Sequence, residues 1–132
     1  MNYEKENTKK NIHSFTDLNT WKEGHKLVVL ICQSSREFPK EEQFGLTNQI
    51  RRAAVSITSN IAEGFSRHSF KEKVQFYSIA LGSLTEAQNQ LMIGRDIGYL
   101  SKDAYEKLAA QTIIVSKLCN GLIKKSRSIL NS

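Results

Sequence analysis

The sequence predicts an all-α fold, an antiparallel up-down-up-down four-helix bundle that assembles as a homo-oligomer. Three observations carry this expectation. Apolar residues recur at three- and four-residue steps through four long segments, which is helical spacing. A single proline, Pro39, interrupts the 132 residues, so the other stretches run without a breaker. Apolar–polar alternation nowhere persists long enough to compete as a strand. The oligomer is expected because the second helix carries apolar residues on two sides, one for its own core and one for a neighbour.

Residues 1–14 are polar and charged and are expected to be a disordered basic and polar tail ahead of a bundle at 15–132. The first helix is expected at about 18–37, capped by Thr16 or Asp17. Its inward stripe is read as Trp21, His25, Val28, Ile31, Cys32, Ser35 and Phe38. His25 on that stripe reads as a core histidine with one hydrogen bond, since no acid or nucleophile is spaced to partner it. Gly24 either weakens the first turns by roughly 1 kcal/mol relative to Ala or admits another backbone.

The link FPKEEQFG separates the first two helices, because proline biases the preceding residue away from helix. The second helix is expected at about 42–65, with Glu41 and Glu42 at its positive end and Gly64 at its stop. Leu46, Ile50, Ala53, Ala54, Ile57, Ile61 and Phe65 form one face. Gln49, Arg52, Ser56, Ser59, Asn60, Glu63 and Arg67 form a polar stripe beside it, and Phe44, Val55 and Ala62 lie on the far side.

Ser69 followed three residues later by Glu72 has capping-box spacing, so the third helix should run from Phe70 to about 97 and stop at Gly98. Its series is Phe70, Val74, Tyr77, Leu81, Leu84, Leu91 and Arg95, with Glu86 spaced by seven between Ile79 and Ile93. The fourth helix is expected at about 102–129, with Tyr105, Leu108, Thr112, Val115, Cys119, Leu122 and Ile129 inward.

Nineteen basic residues against 13 acidic ones give a net charge of +6. Such a balance fits acidic partners such as RNA, DNA or anionic surfaces, or else a solvated surface with no partner. Cys32 and Cys119 form no CxxC pair and read as reduced packing residues. The first residues carry no apolar signal-peptide core and no run approaches a membrane span, so a cytoplasmic protein without membrane contact is expected.

No phosphate-binding glycine loop, HExxH or nucleophile elbow is present, and the Glu-x-x-His pairs of di-iron bundles are missing. No enzyme activity, cofactor or metal is therefore expected. The candidate phosphate contacts are Arg51, Arg67, His68, Lys71 and Lys73 around the second turn, with Lys117, Lys124, Lys125 and Arg127 on the last helix. The candidate subunit contacts are Gln49, Arg52, Val55, Asn60, Ala62, Glu63 and Glu86. Glu63 and Glu86 read as internal carboxylates. Glu63 is spaced to pair with Arg67 at i+4, and Glu86 needs a cation, for which Arg52 of the same or a neighbouring subunit is the candidate.

The run Arg51-Arg52-Ala53-Ala54-Val55-Ser56-Ile57, followed by Ser59-Asn60-Ile61-Ala62-Glu63-Gly64, resembles the 23S rRNA intervening-sequence protein family, also called the S23 family. The likeness extends through Phe38-Pro39-Lys40-Glu41-Glu42, Phe76-Tyr77, Gly82-Ser83-Leu84 and Gly98-Tyr99-Leu100, over about residues 15–125. Gly24 departs from the alanine usual there. The resemblance implies a homopentameric four-helix bundle encoded within bacterial rRNA insertions or by free-standing genes. That family is similar in turn to the accessory variability determinants of retroelements, basic pentamers that bind nucleic acid and a reverse transcriptase. The expected function is thus a non-catalytic oligomer that binds RNA or DNA as an rRNA-insertion or retroelement accessory. The alternative is a protein–protein scaffold. The implied partners are further copies of itself, RNA or DNA, and a reverse transcriptase or other protein.

Overall fold

The structure, a computed structural model, describes residues 12–132. A 3₁₀ turn at Phe15–Asp17 leads into helix α1 (Asn19–Ser34), which tightens into a second 3₁₀ turn at Ser35–Glu37. After a third at Lys40–Glu42 come α2 (Leu46–Ser66), α3 (Phe70–Asp96) and α4 (Lys102–Leu130). Each of α1 and α3 packs on both α2 and α4, so the four helices close into an up-down-up-down bundle. Among the described residues there is no strand, and no helix is long and apolar enough to cross a membrane.

Local hydrogen bonding sets the helix starts. The Ser14 hydroxyl accepts from the Thr16 N–H at 3.3 Å, and the Asp17 carboxylate accepts from the N–H groups of His13 at 3.0 Å and Ser14 at 3.1 Å. This is a capping box one turn ahead of α1, and the two N–H donors hold the Asp17 carboxyl below its ordinary range. Thr16 and Asp17 therefore serve the preceding turn rather than capping α1, whose N-cap is Leu18 with no side-chain bond. Ile12 packs partly buried against the core, so the ordered chain begins before 15; residues 1–11 of the expected tail lie outside the described residues.

At α2 the N-cap is Gly45, which has no side chain, and the Glu42 carboxylate substitutes by accepting the Leu46 N–H at 3.2 Å. Its other oxygen accepts the Tyr99 hydroxyl at 2.8 Å, and Phe38 packs on the Tyr99 ring at 5.4 Å. Ser69 caps α3 by accepting the Glu72 N–H at 3.1 Å, and Ser101 caps α4 by accepting the Ala104 N–H at 3.1 Å. Gly98, at φ 86°, reverses the chain so that Tyr99 and Leu100 donate to the Gly94 carbonyl at 2.8 and 3.2 Å.

Leu27, Ile31, Ile50, Ile57, Ile61, Leu84, Leu91, Leu108 and Val115 fill the core. Three expectations about it change. Of the stripe read on α1, Ile31, Ser35 and Phe38 are buried and Trp21, Val28 and Cys32 half-buried, but His25 is exposed rather than internal, and Thr20, Gly24 and Leu27 join the buried line. Gly64 does not stop α2: the helix runs on to Ser66, and a Cβ at Gly64 would stand 2.6 Å from Tyr77 Cε1, so this glycine exists to let α3 approach. Ile129 is exposed rather than internal, on the rim of an open hollow shared with Phe65 and Phe70.

Candidate nucleic-acid and subunit interfaces

Three of the basic candidates are engaged in holding the bundle together. Arg51, half-buried, donates to the Ser35 hydroxyl at 2.8 Å and the Cys32 carbonyl at 3.4 Å, pinning the end of α1 to α2. Lys73, also half-buried, donates at 2.7 Å to the Phe65 carbonyl, an orphan acceptor at the end of α2, and at 3.2 Å to the Gly64 carbonyl, which also accepts the Arg67 N–H. Burial pushes the Lys73 ammonium below its ordinary value. Arg67 pairs with Glu63 at 3.0 Å and lies over the Phe76 ring at 4.7 Å. A free phosphate contact requires an exposed, unengaged cation, and these three candidates are half-buried and engaged, because carbonyl oxygens and carboxylates attract cations as phosphates do.

His68 and Lys71 are exposed at the α2–α3 turn. Lys117, Lys124 and Arg127 are exposed on α4 and form no ion pair among the described residues. Lys117 and Lys124 are seven apart and share one face. Lys125 is exposed and rims a hollow of about 190 Å³ with Lys73, Phe70 and Ile129.

The α2–α3 seam divides the polar stripe of α2. Ser56 and Ser83 share a hydrogen bond at 2.8 Å across the seam, and Asn60 donates to the Ser56 carbonyl at 2.8 Å and hydroxyl at 3.1 Å, so Ser56 and Asn60, both half-buried, are tied to the seam. Gln49, Arg52, Glu63 and Glu86 are all exposed, which corrects the reading of Glu63 and Glu86 as internal carboxylates. Glu86 accepts from Gln90 at 3.3 Å and Arg52 has no ion-pair partner among the described residues, so the two do not meet within one subunit. Gln90 is 5% exposed, and its Oε1 has no donor. Around these polar groups Val55, Ile79 and Ile93 are 48, 51 and 42% exposed, while Ala62 is half-buried. Arg51, Arg52, Val55 and Ser56 line an open hollow of about 350 Å³.

Chemistry-bearing groups are sparse elsewhere. Among the described residues no three of His, Cys, Asp and Glu converge as metal ligands. Cys119 is buried, donates to the Tyr77 carbonyl at 3.4 Å, and has its thiol pushed up to about 11 by burial. A hollow of about 200 Å³ between α3 and α4 is lined by Leu91, Met92, Tyr105, Ala109 and Ile113, with the Gln88–Thr112 hydrogen bond at 3.1 Å. One surface feature was missed in sequence. Exposed His25 stacks on Trp21 at 4.7 Å and 16°, and the only signal was two rings four residues apart.

Residues 16–121 match the family described as 23S rRNA-intervening sequence protein. The fold is similar to a crystal structure of a protein with unknown function from the S23 ribosomal protein family of Bacteroides thetaiotaomicron VPI-5482. That match has a TM-score of 0.73 and 22% identity, and covers 80% of this chain and 95% of the other. At that identity the likeness shows the fold alone. No curated protein matches the sequence. Neither the family's description nor that of the neighbour names a catalytic activity.

Proposed function

This chain belongs to the 23S rRNA-intervening sequence protein family, and from that premise we propose that it is a non-catalytic, self-assembling bundle that binds RNA or DNA through phosphate contacts. It would act as an accessory to an rRNA insertion or a retroelement. The observation that carries this reading is the exposed basic run of α4, in which Lys117, Lys124 and Arg127 form no ion pair among the described residues. After Glu106 the sequence has no acidic residue, while Lys117, Lys124 and Arg127 stand in solvent. The helix dipole explains cations only in the last turn. Lys117 lies about 20 Å from the end of α4 at 1.5 Å per residue, beyond that range.

Structured RNA and duplex DNA, titrated across a salt series, test this. Affinity should fall linearly in log–log form with salt, and Lys117→Gln and Lys124→Gln should each reduce the slope by about 1. Absence of binding at low salt ends the proposal, and a salt-insensitive isotherm removes its mechanism.

Self-assembly, into a homopentamer as the family resemblance implies, is supported by the outward Val55, Ile79 and Ile93 and by the exposed Arg52 and Glu86, which form no ion pair among the described residues. A neighbour bringing Arg52 to Glu86 would pair both charges and give the Gln90 Oε1 a donor. Arg52→Ala or Glu86→Ala should lower the mass in light scattering and Lys124→Ala should not. Equal masses for all three contradict this interface. The scaffold reading draws on the apolar hollow beside Met92 and Ile113. Retention of one protein partner, a reverse transcriptase or another, after nuclease treatment would favour it.

A further inference from the structure

We propose that the Trp21–His25 stack on α1 is a platform for one base of single-stranded nucleic acid, with Lys22 and Lys26 holding the adjacent phosphates. This rests on the nucleic-acid reading above and assigns it a second, strand-selective surface. The two rings lie nearly parallel, with centroids 4.7 Å apart at 16°, and Phe15 braces Trp21 edge-on at 5.3 Å and 70°. Trp21 is half-buried and fixed, whereas His25 is exposed, so one imidazole face meets the indole and the other meets solvent. A base laid on that outer face extends an existing stack, which any base does because each has a π-face.

The charges nearby suit a phosphate chain. Lys22 and Lys26 are exposed and share the outward arc of α1 with His25; the Asp17 carboxylate ahead of α1 attracts Lys22 but is itself held by the N–H groups of His13 and Ser14. The one carboxylate of α1, Glu23, is half-buried and engaged, its carbonyl and side chain accepting from Gln111 at 2.9 and 3.2 Å. That contact and the Thr20–Leu118 hydrogen bond at 3.5 Å set α1 antiparallel to α4. In this register the α1 lysines lie at the level of the stretch from Lys107 to Lys117, whose two end lysines are also exposed. Single strands are selected because a duplex has its base faces already stacked on one another.

The test titrates labelled single strands of uridine and of thymidine, and a matched duplex, into the full chain and its variants. Trp21 is the only tryptophan, so its emission should change on single-strand binding and not on duplex binding. His25→Ala should weaken single-strand binding by roughly fivefold, the low end of one base–aromatic stack, and leave duplex binding unchanged. His25→Tyr should restore it. The proposal is overturned if His25→Ala binds single strands as the parent does, loses both nucleic acids equally, or changes mass in light scattering. If the parent chain binds duplex but no single strand, this platform falls while the preceding reading stands. If it binds neither at low salt, both fall.

Discussion

Replacing Gly64 with alanine adds one methyl group where two helices already touch. The new Cβ would lie 2.6 and 2.8 Å from Tyr77 Cε1 and Cδ1, and 3.1 Å from Phe76 Cβ. Tyr77 is 2% exposed, so its ring has nowhere to swing, and Phe76 Cβ is fixed to the α3 backbone. The helices must part. Overpacking of this kind costs about 1–3 kcal/mol, against a gain of about 1 kcal/mol from replacing a helical glycine. Contacts this short with a ring that cannot move put the cost at about 2–3 kcal/mol, so the net expectation is a loss of about 1–2 kcal/mol, or a melting temperature lower by about 3–8 °C. Gly121, also helical, has nothing within 4 Å of its virtual Cβ, so the same substitution there should stabilise by about 1 kcal/mol. Thermal and urea unfolding by circular dichroism, at one protein concentration, measures both. A Gly64→Ala chain that melts at or above the parent temperature would refute the close approach of α2 and α3.

Ser69→Ala removes the hydroxyl that caps α3 and should cost about 0.5–2 kcal/mol in urea unfolding, whereas the exposed Ser128→Ala should be nearly neutral. The Asp17 carboxyl is held below its ordinary 3.8 by backbone donors, so its contribution is fully present above that pH and is lost as pH falls through the lowered value. Stability–pH curves of the parent and Asp17→Asn should therefore differ at neutral pH and converge in acid; parallel curves would exclude the link. A Cys32→Ser chain should leave a thiol reagent unconsumed near neutral pH until denaturant is added, since Cys119 is 1% exposed with its thiol pushed up to about 11. Prompt labelling would place Cys119 at the surface.

The helices were readable where a single residue type has one structural use. Ser69 with Glu72 and the glycine at 98 mark a start and a stop, and α3 follows them at Phe70–Asp96. Ambiguity entered where one letter serves two purposes. A glycine near a helix end reads as a stop, yet Gly64 is a contact surface for Tyr77. Arginine and lysine read as phosphate ligands, yet Arg51 and Lys73 satisfy carbonyl groups whose need for a donor arises only when α1, α2 and α3 come together. On α1 the periodicity misplaces His25, which is large and partly apolar, and passes over the small Thr20 and Gly24 that enter the core. Burial follows the fit between helices, and Gly24 lets Thr58 approach to 3.2 Å of where a Cβ would stand. The partition of Arg52 and Glu86 to the outside was likewise invisible, since periodicity places residues on a face without saying what covers it.

The Glu42 carboxylate, with one oxygen on the start of α2 and the other on Tyr99, ties two loops distant in the chain into a single clasp. Unfastening either side frees both, so the α1–α2 link and the α3–α4 turn should open as one cooperative unit in hydrogen exchange. Tyr99→Phe would then expose the amide of Leu46, more than fifty positions upstream, to faster exchange. The end of the bundle that holds Pro39 and Gly98 is in this sense latched shut, whereas the opposite end depends on the lysine of α3 that plugs the last carbonyls of α2.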